Sequence, residues 1–148
     1  MKHRAALFAA IASLAVTGIA LADATPLDLD QLRYDTVHEV ARRAVLAVDG
    51  EGRPVTFLLR IANGQFLPPH GGAGPLRILT VVTGTLSWGD GRQVSEAAEH
   101  RYGPGSVIVI PASGGVHWAA ARDGDVLLQV VVVRDGKLAP AAAAQPER

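Results

Sequence analysis

Two short stretches of this sequence carry the side chains best suited to chemistry. In the first, five residues separate Gly64 from His70, and Arg77 follows. In the second, Pro111 is followed by His117. Each stretch places one imidazole next to an apolar segment, and imidazole serves proteins as a metal ligand, a proton acceptor or a hydrogen-bonding group. We therefore take these two histidines as the first candidates for a functional site.

The segments around the two histidines have the pattern of short strands. Runs of apolar and β-branched residues alternate with turns rich in Gly, Pro, Asn and Asp. The runs cover residues 45–48, 55–61, 76–82, 85–88, 106–110 and 126–133. Such spacing is typical of an all-β sandwich or barrel. Several runs are apolar on both faces, which predicts that a second chain covers one of them and that the protein is a homodimer.

The first stretch resembles the first sequence motif of the cupin family. That motif has a Gly, a pair of His residues, a Glu and a closing Gly. Here Gly64, His70 and Gly84 match, whereas Gly72 stands at the second His and Arg77 at the Glu. The resemblance covers about residues 45–134 once the second stretch is included.

The second stretch resembles the second cupin motif. Gly105 and Pro111 match its Gly and Pro, and His117 follows with one extra residue before it. Ala121 stands where the motif has Asn. The resemblance implies a single cupin-type β-barrel, or jelly roll, with an N-terminal arm. We predict the arm at residues 23–44, the barrel at 45–138 and a disordered tail at 139–148, with helix or strand left open for 28–43.

The family's metal site uses three His and one Glu, and the resemblance leaves only His70 and His117 of that set here. Two imidazoles are few ligands for a divalent ion, and the fixed charge of Arg77 would repel one. We therefore predict no cofactor, or a divalent metal held weakly by the two histidines. Arg77 either faces inward, where it binds an anion, or faces solvent at a strand start.

The predicted ligand pocket consists of His70, Arg77, His117 and Gln129. Gln129 is included because it is the polar residue of the run 126–133, although a hydrogen bond to a neighbouring strand is the alternative. Trp118 is interpreted as barrel packing, and no role is assigned to His38. We predict a non-catalytic module that binds a small molecule, for which an anion is one candidate. The alternative is a metal-dependent cupin enzyme of the dioxygenase, isomerase or decarboxylase type.

The chain's first 22 residues predict export. A basic start at Lys2 and Arg4 precedes an apolar segment that ends in Ala20-Leu21-Ala22, the pattern of a cleaved signal peptide. Cleavage after Ala22 would give a periplasmic or secreted protein without a membrane anchor. With 14 basic and 14 acidic residues and no basic run, nucleic acid is not an expected partner. The absence of Cys means that no disulfide stabilises the fold.

Overall fold

The computed structural model describes residues 24–145, so the predicted signal peptide lies outside the described range. The described residues from Gln31 onward belong to one compact unit, and residues 24–30 belong to a separate one. The described strands are β1 (Asp35–Val37), β2 (Ala41–Val48), β3 (Pro54–Ile61), β4 (Phe66–Gly71), β5 (Leu76–Thr83), β6 (Leu86–Asp90), β7 (His100–Tyr102), β8 (Val107–Ile110), β9 (Val116–Ala120) and β10 (Val126–Val133). A 3₁₀ turn (Glu96–Ala98) and helix α1 (Pro140–Ala143) complete the described elements. Within residues 24–145 no helix has the length and apolarity that a membrane span requires.

The strands form two antiparallel sheets. The larger sheet has the order β1-β2-β3-β10-β5-β8, and the smaller has the order β4-β9-β6-β7. Strand β10 lies inside the larger sheet, where Val130 pairs with Phe57 on one side and with Leu79 on the other. Apolar side chains of both sheets, such as Leu67 and Leu128, form one buried cluster. The predicted all-β, jelly-roll class is confirmed.

The long apolar runs became strands close to their predicted bounds, as β3, β5 and β10. The strands that carry the histidines, β4 and β9, were not predicted. Strand β4 contains Pro68 and Pro69, and it lies at the edge of the smaller sheet, where a residue without a backbone N–H is tolerated. The register shifts between Leu67 and His70, so the two prolines occupy an irregularity in the β4–β9 ladder.

The N-terminal part of the barrel begins before the predicted boundary. Residues 28–43 contain no helix, and strands β1 and β2 follow one another there. Strand β2 crosses the predicted boundary at 44/45, and Ala41 and Ala44 are buried. At the other end, residues 140–143 form the exposed α1 rather than an irregular tail. The sheet therefore includes residues that the sequence had assigned to an arm.

Candidate functional site

The two predicted histidines lie side by side on neighbouring strands. His70 of β4 is the direct partner of His117 of β9, and their ring centroids are 4.5 Å apart. The close approach depends on Gly71, which adopts φ +118° and packs against the carbonyl oxygen of Gly115. A Cβ at Gly71 would collide with that oxygen. Glycine at this position therefore lets β4 and β9 bring the two imidazoles together.

Each of the two imidazoles is oriented by a backbone carbonyl. His70 Nδ1 lies 2.8 Å from the Pro68 oxygen, and His117 Nδ1 lies 3.2 Å from the Gly115 oxygen. A carbonyl oxygen only accepts hydrogen bonds, so each Nδ1 carries the proton and donates it. In the neutral ring, Nε2 is then left with a lone pair. Each ring, when neutral, therefore presents an acceptor nitrogen at Nε2, for which the described residues supply no hydrogen-bond partner.

His117 is kept neutral by its surroundings. Burial lowers its pKa to about 4, and the nearby charges of His70 and Arg77 act in the same direction. The hydrogen bond to Gly115 and the charge of Asp90 oppose the shift without cancelling it. At neutral pH the His117 ring is therefore an uncharged acceptor.

The ring of Trp88, on β6, stacks against the ring of His117. The two rings are stacked, with centroids 4.4 Å apart and planes 13° apart, and Trp88 Nε1 donates to Asp90 Oδ1 at 3.0 Å. Trp118 adopts the opposite orientation from its neighbour His117, and its indole fills the space over Gly89. The interpretation of Trp118 as barrel packing agrees with this placement. The aromatic residue at the site is Trp88, to which the sequence had given no role.

Two arginines of the larger sheet approach the histidines from the other side. Arg43 of β2 and Arg77 of β5 line the same cavity as His70 and His117. The Nε of each arginine is buried and has no hydrogen-bond partner. Within residues 24–145, no carboxylate forms an ion pair with either guanidinium. The two Nε–H groups are unsatisfied buried donors in residues that line a cavity, and a buried donor without a partner costs free energy.

His38 adds a third imidazole to the site. It lies in the turn between β1 and β2, and its ring centroid is 4.3 Å from that of His70. Its φ is +48° and that of Glu39 is +66°, a left-handed conformation that costs non-glycine residues free energy. Burial lowers the pKa of His38, and the charges of His70, Arg77 and Arg43 lower it further. A strained turn thus holds His38 over a positively charged site.

The site is a cavity of about 120 Å³ with mostly apolar walls. Among the described residues, its polar lining is limited to Arg43, Arg77, Trp88 and the three histidines. The remaining lining residues are Val37, Phe57, Leu59, Ile61, Leu67, Leu79, Ile110, Ala119, Leu128 and Val130. A more open basin of about 470 Å³ shares His38, Arg43, Phe57 and Arg77 with this cavity. The two arginines therefore lie where the inner cavity meets the outer basin.

No protein-family profile and no curated protein matches the sequence, but solved structures match the fold. A protein described as a predicted oxalate decarboxylase, from Thermotoga maritima, has a TM-score of 0.57 at 14% identity, over 74% of this chain and 99% of its own. A cupin-superfamily sugar phosphate isomerase from Silicibacter pomeroyi has a TM-score of 0.55 at 20% identity, over 74% of this chain and 76% of its own. The cupin domain of Schizosaccharomyces pombe Cnp3 has a TM-score of 0.58 at 12% identity, over 74% of this chain and 74% of its own. The chain has the cupin fold.

The cupin metal site does not fit the side chains of this chain. His70 and His117 offer one acceptor nitrogen each when neutral, and the ring of His38 packs against that of His70 with the two planes tilted by 35°. Among residues 24–145, no three His, Cys, Asp or Glu side chains are placed to hold a metal ion. Arg77, at the motif's Glu position, brings a positive charge to the same cavity. The donor set and the charge both disfavour a tightly bound divalent cation.

The structure brings three of the four predicted pocket residues together and excludes the fourth. His70, Arg77 and His117 line one cavity, whereas Gln129 is exposed. Side chains alternate along a strand, and Leu128 and Val130 face the cavity, so Gln129 between them faces outward. Its predicted place in the pocket is wrong.

Three residues of the site were missed by the sequence reasoning. Arg43 and His38 lie in the segment whose structure was left open, and neither belongs to a cupin motif. Trp88 lies on a short run, and which face of the sheet its side chain occupies depends on the pairing of that run with β9. One signal pointed to β2: Arg42 and Arg43 lie between the two buried alanines, Ala41 and Ala44, at the start of an apolar run.

Proposed function

We propose that this cupin-fold chain is an exported, non-catalytic protein that binds a small organic anion inside its barrel. The observation that carries the proposal is the pair Arg43 and Arg77, whose buried Nε groups lack partners at the edge of the cavity. A carboxylate placed between them would accept charge-assisted hydrogen bonds, which are shorter and stronger than neutral ones. An anion would therefore satisfy donors that the described residues leave unpaired.

The composition of the cavity wall supports binding rather than catalysis. Among the described lining residues are two cations and three imidazoles, but no carboxylate, hydroxyl or thiol. Carboxylate, hydroxyl and thiol groups are the common nucleophiles of covalent catalysis, so of the groups that serve there only imidazole lines this cavity. The wall has the features of a ligand pocket, which is mostly apolar with a few convergent polar groups.

The size of the cavity limits the ligand. Its volume of about 120 Å³ is below the roughly 300–1,000 Å³ of pockets for drug-sized molecules. An apolar protein cavity of about 150 Å³ holds one benzene molecule. The apolar part of the ligand is therefore no larger than about one six-membered ring, while its charged end can extend into the outer basin.

The test is calorimetric titration of the purified protein with acetate, butyrate and benzoate at neutral pH. We expect saturable binding of at least one of these anions. In the Arg77→Met variant we expect that binding to be about 10-fold to 100-fold weaker, because a hydrogen bond to a charged group contributes about 1.5–3 kcal/mol. Arg92→Met is the matched control, since Arg92 is exposed in the loop after β6. No binding up to about 10 mM, or equal weakening in both variants, would reject the proposal.

A metal-dependent cupin enzyme of dioxygenase, isomerase or decarboxylase type is the second candidate. It is favoured by the orientation of His70 and His117, because metal-bound histidines commonly donate their other nitrogen to a carbonyl. Elemental analysis of protein purified without chelator tests it. Substoichiometric metal after dialysis would agree with the binding proposal. One equivalent of metal, lost on His70→Ala substitution, would favour the enzyme.

Export and dimerisation complete the proposal. The signal-peptide pattern predicts a mature protein that starts at Asp23, which the intact mass of the secreted form tests. The larger sheet exposes Val82 and Val107 on strands β5 and β8, and these side chains suit contact with a second copy. Light scattering at tens of micromolar should give a dimer, and a monomer across ordinary salt would contradict it.

A further inference from the structure

Four polar groups of the cavity are of two kinds with opposite hydrogen-bonding capacity, while His38 lines both the inner cavity and the outer basin. Arg43 and Arg77 line both the inner cavity and the outer basin, and a guanidinium donates without accepting. His70 and His117 line only the inner cavity. Their Nδ1 protons are committed to backbone carbonyls, so a neutral ring offers only an acceptor at Nε2. A ligand therefore meets donors near the basin and acceptors further in.

This division determines which end of a bound anion faces the arginines and which end faces the histidines. A carboxylate directed at the histidines would place its lone pairs against those of Nε2, whereas at the arginines it receives hydrogen bonds. The inner end of the ligand must supply a donor instead. An ammonium group is disfavoured there because the positive charge of Arg77 already acts on His117 and His38. An uncharged hydroxyl meets the requirement.

We propose that the ligand is a small monocarboxylate that carries a hydroxyl at the opposite end of an apolar body about one ring long. The carboxylate binds Arg43 and Arg77, and the hydroxyl donates to the inner imidazoles. Aliphatic side chains such as Leu79 and Leu128 surround the body between the two polar ends. This inference rests on the proposed anion-binding function and specifies the ligand class for the same site.

Two probes of nearly equal size test the hydroxyl. 4-Hydroxybenzoate and 4-methylbenzoate differ in the group that would reach the histidines, and both keep the carboxylate. In the wild-type protein we expect calorimetry to give at least about tenfold tighter binding for 4-hydroxybenzoate, because the methyl analogue leaves buried acceptors unpaired. Equal affinities, or tighter binding of 4-methylbenzoate, would overturn the hydroxyl inference while carboxylate binding itself stands.

The variant His117→Phe tests whether the preference for the hydroxyl arises at the histidine end of the cavity. His117→Phe keeps a ring stacked on Trp88 but removes the acceptor nitrogen, so the preference for the hydroxyl should fall to about threefold or less. His100→Phe, at an exposed position on β7, is the control and should leave the affinities for both probes as in wild type. Arg77→Met should weaken both probes alike. A hydroxyl preference that survives in both His117→Phe and His70→Phe would contradict the inference, and failure of both probes to bind the wild type would overturn the anion site as well.

Discussion

The two walls of the barrel cavity differ in how far their polar groups are satisfied. On the smaller sheet, His70 and His117 each donate to a backbone carbonyl, and Trp88 is held by Asp90. On the larger sheet, Arg43 and Arg77 each leave a buried Nε without a partner. The N–H donors of the first wall are satisfied as folded, whereas the second wall has donors that need an acceptor from outside the described chain. The difference supports the proposal that an anion binds at the arginine wall.

The largest expected effect concerns the histidine wall and acid. The pKa of His117 is about 4 in the folded protein and 6.5 ordinarily, so the unfolded state binds the proton more readily. Stability should fall as pH drops from about 6.5 towards 4 and lose about 3 kcal/mol from this residue by the end of that window. Denaturant unfolding at several pH values, compared between wild type and His117→Phe, measures it.

His100→Phe is the control for that comparison, because His100 lies exposed on β7. His117→Phe should flatten the acid loss, whereas His100→Phe should leave it as in wild type. If the wild-type and His117→Phe curves run parallel between pH 6.5 and 4, His117 is not held neutral by burial.

The next effect concerns the arginine wall. Replacing Arg77 with Met removes an unpaired buried donor, so we expect the ligand-free protein to gain about 1–2 kcal/mol in the free energy of unfolding. Arg122 is the matched contrast. It binds Glu99, whose side chain is 7% exposed, at 2.8 Å, and Arg122→Met would remove the ion-pair partner of that carboxylate.

Arg122→Met should therefore destabilise the fold by about 1–3 kcal/mol, opposite in sign to Arg77→Met. Denaturant unfolding without added anion gives both values. Loss of stability in Arg77→Met similar to that in Arg122→Met would mean that Arg77 has a structural partner and that its wall is already complete.

The smallest effect concerns the turn that places His38. Glu39 adopts φ +66°, and glycine adopts such angles without steric cost. Glu39→Gly should stabilise the fold by at most about 1 kcal/mol, since relief of the left-handed strain exceeds the entropy cost of glycine by only a small margin. Thermal unfolding measures it. A loss of more than about 1 kcal/mol would show that the Glu39 side chain, not its backbone angle, matters for the turn.

The sequence predicted the fold well because the signals involved are local. Long apolar runs such as Leu76–Thr83 and Val126–Val133 form strands wherever they pair. The motif spacing also selected His70 and Arg77, which line one cavity in the structure. The direction of the Gln129 side chain could not be predicted in the same way, because a run that is apolar on both faces does not show which of its residues face the core.

The missed residues depend on pairing across long stretches of sequence. Arg43 reaches the cavity because it pairs with Leu59 of β3, whose side chain also faces inward. His38 reaches His70 because His38 and Glu39 both adopt left-handed backbone angles in the turn between β1 and β2. A His-Glu pair is not the Asn-Gly type of sequence that signals such a turn. Trp88 and Trp118 could be told apart only after the register of β6 and β9 was known.

The proposed anion site depends most directly on the two unpaired guanidinium groups. Their Nε–H signals can be followed by ¹H–¹⁵N NMR while benzoate is added to the ligand-free protein. We expect the Arg43 and Arg77 signals to shift together and to saturate at one dissociation constant, while the signal of exposed Arg92 stays in place. Saturable benzoate binding by calorimetry, with no movement of the Arg43 and Arg77 signals, would contradict an anion site on the arginine wall.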